Sequence, residues 1–168
     1  ASAPGADAAA KAATLATGVR VLARQLRQPG VLDQAEAWVT ELETLPAAFV
    51  RERMEAHGVL NNYYRADDID AGIIRHSTRL IELNAALPAG QGAPAISNTI
   101  VAAYSNLAEA WAGQEQTAQA LDLLRRAPAE LKGVEGVAER LAPTIARYEL
   151  VGRPAAAIEA PVWLHAPE

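Results

Sequence analysis

The sequence contains no cysteine, and this absence is the first limit on its chemistry. Disulfide bonds, thiolate metal sites and cysteine nucleophiles are therefore excluded within these 168 residues, while the redox compartment is left open. The chain also lacks an HExxH metal motif, a phosphate-binding loop, a GxSxG turn and a Rossmann glycine fingerprint. We therefore expect no cofactor, no metal ion and no motif-borne catalytic residue, although catalytic groups can also meet only in space.

Positive charge is also scarce, because 15 Lys and Arg residues face 20 Asp and Glu residues, for a formal net charge of −5. Nonspecific nucleic-acid binding needs a cationic face, so we expect no nucleic-acid partner. No apolar run is long enough to cross a bilayer as a helix, so we expect no transmembrane segment.

What the sequence does have is an alanine-rich, 51% hydrophobic composition with a single Phe. Such a composition favours α-helices that pack closely through small side chains. Apolar residues recur at helical spacing in seven stretches, and no stretch convincingly indicates a strand. The sequence therefore predicts an all-α fold of antiparallel helical hairpins, arranged as a layered array or an irregular bundle of about seven helices, with an extended C-terminal tail.

Glycine and proline set the expected ends of several helices. Pro29-Gly30 should end the first helix, and Gly58 should end a third helix that begins near Pro46. The stretch after Gly58 has the least regular pattern in the first half. Pro143 should kink or split the last helix, because proline removes a backbone donor and clashes with the preceding turn.

The stretch Ser97 to Pro128 contains two amphipathic helices joined by a short polar turn. Neither helix can bury its apolar face alone, but folded back on one another they can. The hairpin resembles a tetratricopeptide (TPR) unit over about a fifth of the chain. The residues that take comparable roles are Tyr104, Leu107, Ala108, Trp111, Ala120, Leu124, Ala127 and Pro128. The resemblance implies a TPR-like array that binds proteins, and a plain helical hairpin is the alternative.

The end of the chain carries a second resemblance. The run Gly152-Arg153-Pro154-Ala155-Ala156-Ala157-Ile158, followed by Trp163-Leu164, is similar to the entry strand of a thioredoxin-like redoxin domain. This implies the helical region that precedes the redox domain in a bacterial extracytoplasmic thiol-disulfide oxidoreductase. It also implies a periplasmic or secreted location, with the cytoplasm as the alternative. The Cys-x-x-C of that family is absent, so no catalytic residue is carried over and the fragment itself is not expected to be an enzyme.

These patterns divide the chain into a helical domain at 1–151 and a tail at 152–168. The tail is either the lead-in to a missing downstream domain or an ordinary C-terminus that packs Trp163 onto the bundle. Residues 88–96 are rich in Gly and Pro, and they form either a long surface loop or a boundary between two helical halves. The small-residue start at 1–6 fits either the end left by signal-peptide removal or an arbitrary boundary.

The predicted partner-binding site is the run Asn61, Asn62, Tyr63, Tyr64 and Arg65. Tyr and Arg are over-represented at binding hot spots, and Asn offers both a donor and an acceptor. We therefore predict a protein–protein interaction or scaffolding domain that contacts a protein or peptide partner here. The alternative interpretation is that the tyrosines fill the gap between the third and fourth helices. The sequence leaves the oligomeric state open.

Two other functions stay open. His76 lies on the apolar face of the fourth helix, where it is either a core histidine or part of a small-molecule-binding or enzymatic pocket with Tyr63 and Tyr64. A self-associating structural module is the third possibility. A groove lined with Asn, Arg and Tyr would favour protein binding, whereas a closed pocket with convergent polar groups near His76 would favour a small molecule. A large flat apolar patch would favour self-association.

Overall fold

The computed structural model describes residues 4–87 and 94–154, without side-chain positions for Pro4 and residues 94–96. Within these residues the chain forms seven α-helices and no strand, which confirms the predicted all-α fold. The helices are α1 (Pro4–Leu22), α2 (Val31–Glu43), α3 (Val50–Ala66), α4 (Asp70–Ala85), α5 (Pro94–Gly113), α6 (Thr117–Glu130) and α7 (Val137–Glu149). The resemblance in the tail lies largely outside the described residues, since it continues past Pro154.

Each helix packs against the next one along the chain, and the odd-numbered helices also contact one another in the order α1, α3, α5, α7. The buried apolar side chains form two clusters. One cluster draws mainly on α1, α2 and α3, and the other draws mainly on α4, α5, α6 and α7. This packing is that of a helical bundle, and the TPR-like array stays a prediction. None of the helices in the described ranges is long and apolar enough to span a membrane.

The third helix is longer than the sequence predicts, and the expected end at Gly58 is wrong. Gly58 is buried inside α3, where a Cβ atom would lie 2.9 Å from the Thr99 side chain of α5. Its missing side chain therefore allows two helices to approach, and it does not terminate one. As a result, residues 61–65 lie on a helix and face in different directions around its axis.

The expected end of the first helix at Pro29-Gly30 is also wrong, and so is the split, one of the two outcomes expected at Pro143. α1 stops at Leu22, and a series of turns leads from there to α2. Pro143 does not split the last helix, because α7 runs continuously through it. Pro143 is exposed, so the carbonyl group that loses its helical donor can bond to water. Proline is therefore tolerated on the solvent side of this helix.

The hairpin at the centre of the sequence prediction consists of α5 and α6, joined by the turn at 114–116. Tyr104 and Leu107 of α5 and Leu123 and Leu124 of α6 are buried between these helices and their neighbours. The Tyr104 hydroxyl donates a hydrogen bond to the Glu130 carboxylate at the end of α6. This interface is otherwise apolar, as the spacing of its residues predicts.

Candidate functional site

A buried polar stripe runs along α3, on the face that packs against α4. His57, Asn61 and Tyr64 are spaced four and three residues apart, so they share one helical face. Asn61 is 1% exposed, and its side-chain oxygen accepts a 2.8 Å hydrogen bond from the Ser77 hydroxyl of α4. Tyr64 stacks on the ring of His76, with 5.4 Å between the ring centroids. The core of this half of the protein is therefore polar along one interface.

The centre of this interface is a direct contact between two histidines. Nδ1 of His57 and Nδ1 of His76 lie 2.8 Å apart, and the two residues are 5% and 1% exposed. A distance this short requires a hydrogen bond, so one of the two nitrogens must carry a proton while the other accepts it. The two imidazoles thus link α3 to α4 and constrain each other's tautomer.

Each histidine has its second ring nitrogen against a carboxylate from α2. His57 Nε2 lies 3.0 Å from Glu43 Oε1, and His76 Nε2 lies 3.2 Å from Glu36 Oε1. Glu36 and Glu43 are seven residues apart, which places them two turns apart on the same face of α2. The four side chains form one continuous chain, Glu43–His57–His76–Glu36, which crosses three helices. We call it the carboxylate–histidine chain.

Arginines from α4 close both ends of this chain. Arg79 binds the Glu43 carboxylate through two nitrogens, at 2.9 and 2.7 Å. Arg75 pairs with Glu36, which also accepts the Tyr64 hydroxyl at 2.5 Å. The two arginines are four residues apart and the two glutamates seven, so each pair lies on one face of its helix and the opposite charges meet across the interface.

A third arginine, Arg53 of α3, contacts the end of α2 next to Glu43. Its side chain is 6% exposed and donates to main-chain carbonyls at the end of α2, including the oxygens of Leu45 at 2.5 Å and Leu42 at 3.3 Å. The last carbonyls of a helix have no partner within the helix, and they carry the negative end of its dipole. Arg53 therefore caps α2, and it also lies 3.4 Å from the Glu43 carboxylate.

The surroundings shift the pKa values of these groups. Burial alone would raise the pKa of Glu43, but hydrogen bonds from Arg79 and His57 outweigh it and lower the pKa to about 2. Burial, together with the neighbouring His76, lowers the pKa of His57 to about 4. Burial and the bond to Glu36 raise the pKa of the Tyr64 hydroxyl to about 12. At neutral pH, Glu43 is therefore ionised while His57 and Tyr64 are uncharged.

A shallow surface depression of about 440 Å³ opens beside the Glu43 end of the chain. Its walls include Ile74, Thr78 and Arg79 of α4 together with Glu43 and His57. His76 itself is almost fully buried, and both ring nitrogens of each histidine already have a partner. Neither imidazole therefore offers a free nitrogen to a substrate. In the described part of the chain, no group of three or more His, Asp or Glu residues is placed to hold a metal ion.

A second depression, of about 420 Å³, contains part of the predicted binding run. We call it the Tyr63 groove, and its lining residues are Ala23, Arg24, Leu26, Arg27, Val59, Asn62, Tyr63 and Ala66. They come from the turns after α1 and from the second half of α3. Arg27 is ion-paired with Asp67, while Arg24 makes no ion pair with any described residue.

The structure divides the predicted run 61–65 between two surroundings. Asn62 and Tyr63 face the Tyr63 groove, whereas Asn61 and Tyr64 are buried against α4. Arg65 forms ion pairs with Asp68 and Glu109, each at 3.0 Å. A partner can therefore reach Asn62 and Tyr63 directly.

Sequence reasoning did not find the carboxylate–histidine chain. It considered His76 only as a core histidine or as part of a pocket with Tyr63 and Tyr64. The available signals were the opposite charges at helical spacing on α2 and α4 and the polar residues at helical spacing on α3.

Comparisons with known proteins find no relative of this chain. No protein-family model matches the chain, and no curated protein or solved structure is detectably similar to it. The function must therefore be argued from the site itself.

Proposed function

We propose that this chain is a protein-binding helical module that contacts its partner at the Tyr63 groove. The observation that supports this most strongly is the combination of groups in the groove. Its lining combines the apolar side chains of Leu26 and Val59 and the aromatic ring of Tyr63 with polar and charged groups, which are Asn62, Arg24 and Arg27. Aromatic and arginine side chains next to apolar ones are typical of the residues that dominate binding energy at protein interfaces.

The charge around the groove favours an acidic peptide segment as the partner. Arg24 makes no ion pair with any described residue, and the Arg27 side chain is 73% exposed although it pairs with Asp67. A volume of about 420 Å³ is at the lower end of ordinary ligand pockets, which span ~300–1,000 Å³. It suits one apolar side chain of a peptide, with neighbouring carboxylates reaching the arginines.

The test is an NMR titration of the labelled protein with two model peptides. One is acetylated, amidated Glu-Glu-Phe-Glu-Glu, and the other carries lysines in place of the glutamates. We expect the acidic peptide alone to shift the amide signals of Asn62 and Tyr63, and added salt to weaken the effect because the charges are exposed. Equal shifts from both peptides, or shifts confined to other helices, would refute the proposed site.

A charge-reversal variant and a matched control sharpen this test. Arg24→Glu should abolish the shifts produced by the acidic peptide. Arg51→Glu changes the net charge equally, but Arg51 is exposed on α3 and does not line the groove. It should leave binding unchanged. If both variants weaken binding equally, the attraction depends on overall charge and the groove has no special role.

We further propose that the module is the non-catalytic partner of a thioredoxin-like redox domain in a secreted or periplasmic protein. The support is the sequence resemblance at 152–158 together with Trp163-Leu164. Reading the gene beyond Glu168 tests it. A Cys-x-x-C some tens of residues downstream is the expected result. A stop codon directly after Glu168 would remove this part of the proposal and leave the groove unaffected.

A further inference from the structure

The carboxylate–histidine chain poses a counting problem for protons. Its three contacts, Glu43 to His57, His57 to His76, and His76 to Glu36, each need one proton to be a hydrogen bond. Two neutral imidazoles bring only two protons. Either one contact lacks a proton or the pair of rings carries one extra proton.

The neighbouring arginines decide which contact lacks a proton in the neutral state. A terminal nitrogen of Arg75 lies 3.1 Å from His76 Nε2 and can donate to it. His76 then holds its own proton on Nδ1 and donates it to His57 Nδ1. His57 holds its proton on Nε2 and donates it to Glu43. Every ring nitrogen is satisfied in this arrangement.

The opposite pair of tautomers has the higher free energy. It would turn an unprotonated His57 Nε2 toward the ionised Glu43, 3.0 Å away. Arg79 donates to Glu43, and no arginine donates to His57. Two lone pairs would then face each other without a donor between them, which costs the bond and leaves a buried acceptor unpaired.

The site can take up a first additional proton without losing any of its hydrogen bonds. Placed on His76 Nε2, it is donated to Glu36, while Arg75 keeps its own bond to that carboxylate. All three contacts of the chain are then hydrogen bonds. A second additional proton would put two N–H groups face to face across 2.8 Å and two positive rings side by side. That state cannot keep the contact.

We propose that the His57–His76 pair is an acid-sensitive latch between α2, α3 and α4, which accepts one proton and opens on the second. Opening separates the two rings and breaks the link that they form between α3 and α4, in the middle of the chain whose two ends are the glutamates of α2. The folded protein therefore changes its packing below a threshold of acidity, at one defined interface, while the apolar contacts elsewhere are left intact.

The charged and titratable groups around the pair are consistent with this behaviour. They are Glu36 and Glu43 from α2, Arg53 and Tyr64 from α3, and Arg75, Arg79 and, through Arg79, Glu82 from α4. The pKa of His57 is lowered from 6.5 to about 4, first by burial and then by His76. A lowered histidine pKa means that the stability from its neutral burial is complete above about 6.5 and is lost as the pH falls toward about 4.

The direct test is ¹⁵N NMR of the histidine rings in the unaltered protein. At pH 7.5 we expect His76 protonated on Nδ1, His57 protonated on Nε2, and a measurable coupling between the two Nδ1 nuclei across their hydrogen bond. The coupling should disappear below about pH 4, where the second proton binds. His165→Gln assigns the signals of the third histidine, which lies outside the described residues. Absence of the coupling at pH 7.5, or its survival in acid, would overturn the latch.

A second test measures proton uptake on unfolding between pH 6.5 and 5, above the range where most carboxylates titrate. One proton taken up by His57 makes the unfolding constant rise about tenfold for each pH unit of acidification. His57→Gln should remove this slope while keeping a hydrogen-bonding side chain. An unchanged slope in the variant would contradict the proposal. If His57→Gln does not fold, the NMR experiment decides the question alone, because it uses the native chain.

Discussion

Two interfaces in this protein join helices by opposite means. The α5–α6 interface is closed by buried apolar side chains such as Tyr104, Leu107 and Leu124. The interface of α2 with α3 and α4 is closed by the carboxylate–histidine chain and three arginines. We refer to them as the apolar interface and the polar interface.

The comparison shows what each kind of contact requires. Apolar contacts are non-directional, so residues of suitable size at helical spacing are enough to form the interface. A buried polar network needs every donor and acceptor in place, because each unpaired group costs free energy. In the described residues the network is complete, since no buried side-chain nitrogen or oxygen lacks a partner. The polar interface is therefore more specific and more dependent on pH.

The largest expected effect comes from cutting into the apolar interface. Leu124 is fully buried in α6, and Leu124→Ala should lower the free energy of unfolding by ~2–5 kcal/mol, because it leaves a cavity. Urea unfolding at pH 7 and pH 5.5 measures it, and the loss should be similar at both. Leu121→Ala, on the same helix but only half-buried, is the control and should cost less. Equal losses would contradict the claim that the depth of burial sets the cost of a cavity in this interface.

The next effect concerns the arginine that caps α2. Arg53→Met keeps much of the volume but leaves main-chain carbonyls at the end of α2 without a donor. We expect a loss of ~1.5–3 kcal/mol, which is typical of hydrogen bonds to a charged group. Arg51→Met, two residues earlier and exposed, should change stability by less than about 0.5 kcal/mol. If Arg53→Met leaves the free energy of unfolding unchanged, water must replace the hydrogen bonds that Arg53 donates to the end of α2.

A glycine substitution tests the fit of the polar interface. In an ordinary helix Gly→Ala is stabilising by ~0.5–1 kcal/mol. At Gly72 of α4, however, a Cβ atom would lie 2.2 Å from the ring of Tyr64. Gly72→Ala should therefore destabilise the protein by ~1–3 kcal/mol and displace Tyr64 from Glu36. Gly113→Ala, where nothing lies within 4 Å, is the matched control and should be neutral or slightly stabilising.

The smallest effect is expected at an exposed ion pair outside both interfaces. Arg125 and Glu149 are joined at 2.7 Å, but their side chains are 54% and 38% exposed. Glu149→Gln should cost only ~0–1 kcal/mol, and the cost should shrink at high salt. Thermal melts at low and high ionic strength measure it. A loss comparable to that of Arg53→Met would show that an exposed ion pair contributes as much stability here as the buried arginine that caps α2.

The sequence predicts the apolar interface well and the polar one poorly, for a physical reason. The periodic apolar residues on α5 and α6 are enough to predict that they are buried, because an apolar face can pack against any apolar surface of suitable shape. The burial of His57, Asn61 and Tyr64 cannot be predicted from these residues alone, since a polar residue at helical spacing is usually exposed. Their burial depends on side chains from α2 and α4 that are distant in the sequence.

The same reasoning explains the error at Gly58. Glycine near the end of an apolar pattern usually ends a helix, and local sequence offers no sign of another role. Its actual role depends on Thr99 of α5, 41 positions along the chain, against which a side chain at 58 would collide. The longer helix then decides which of residues 61–65 are buried and which face the Tyr63 groove.

Native-state hydrogen exchange at pH 7 and pH 5, corrected for intrinsic rates, tests the contrast between the two interfaces most directly. Our account predicts that the amides of α2 lose protection at pH 5, by about tenfold for each pH unit below about 6.5, because opening exposes His57 to protonation. The amides of α5 and α6 should keep theirs. A uniform loss across all these helices, or unchanged protection of α2, would contradict the claim that the polar interface is the one that acid opens.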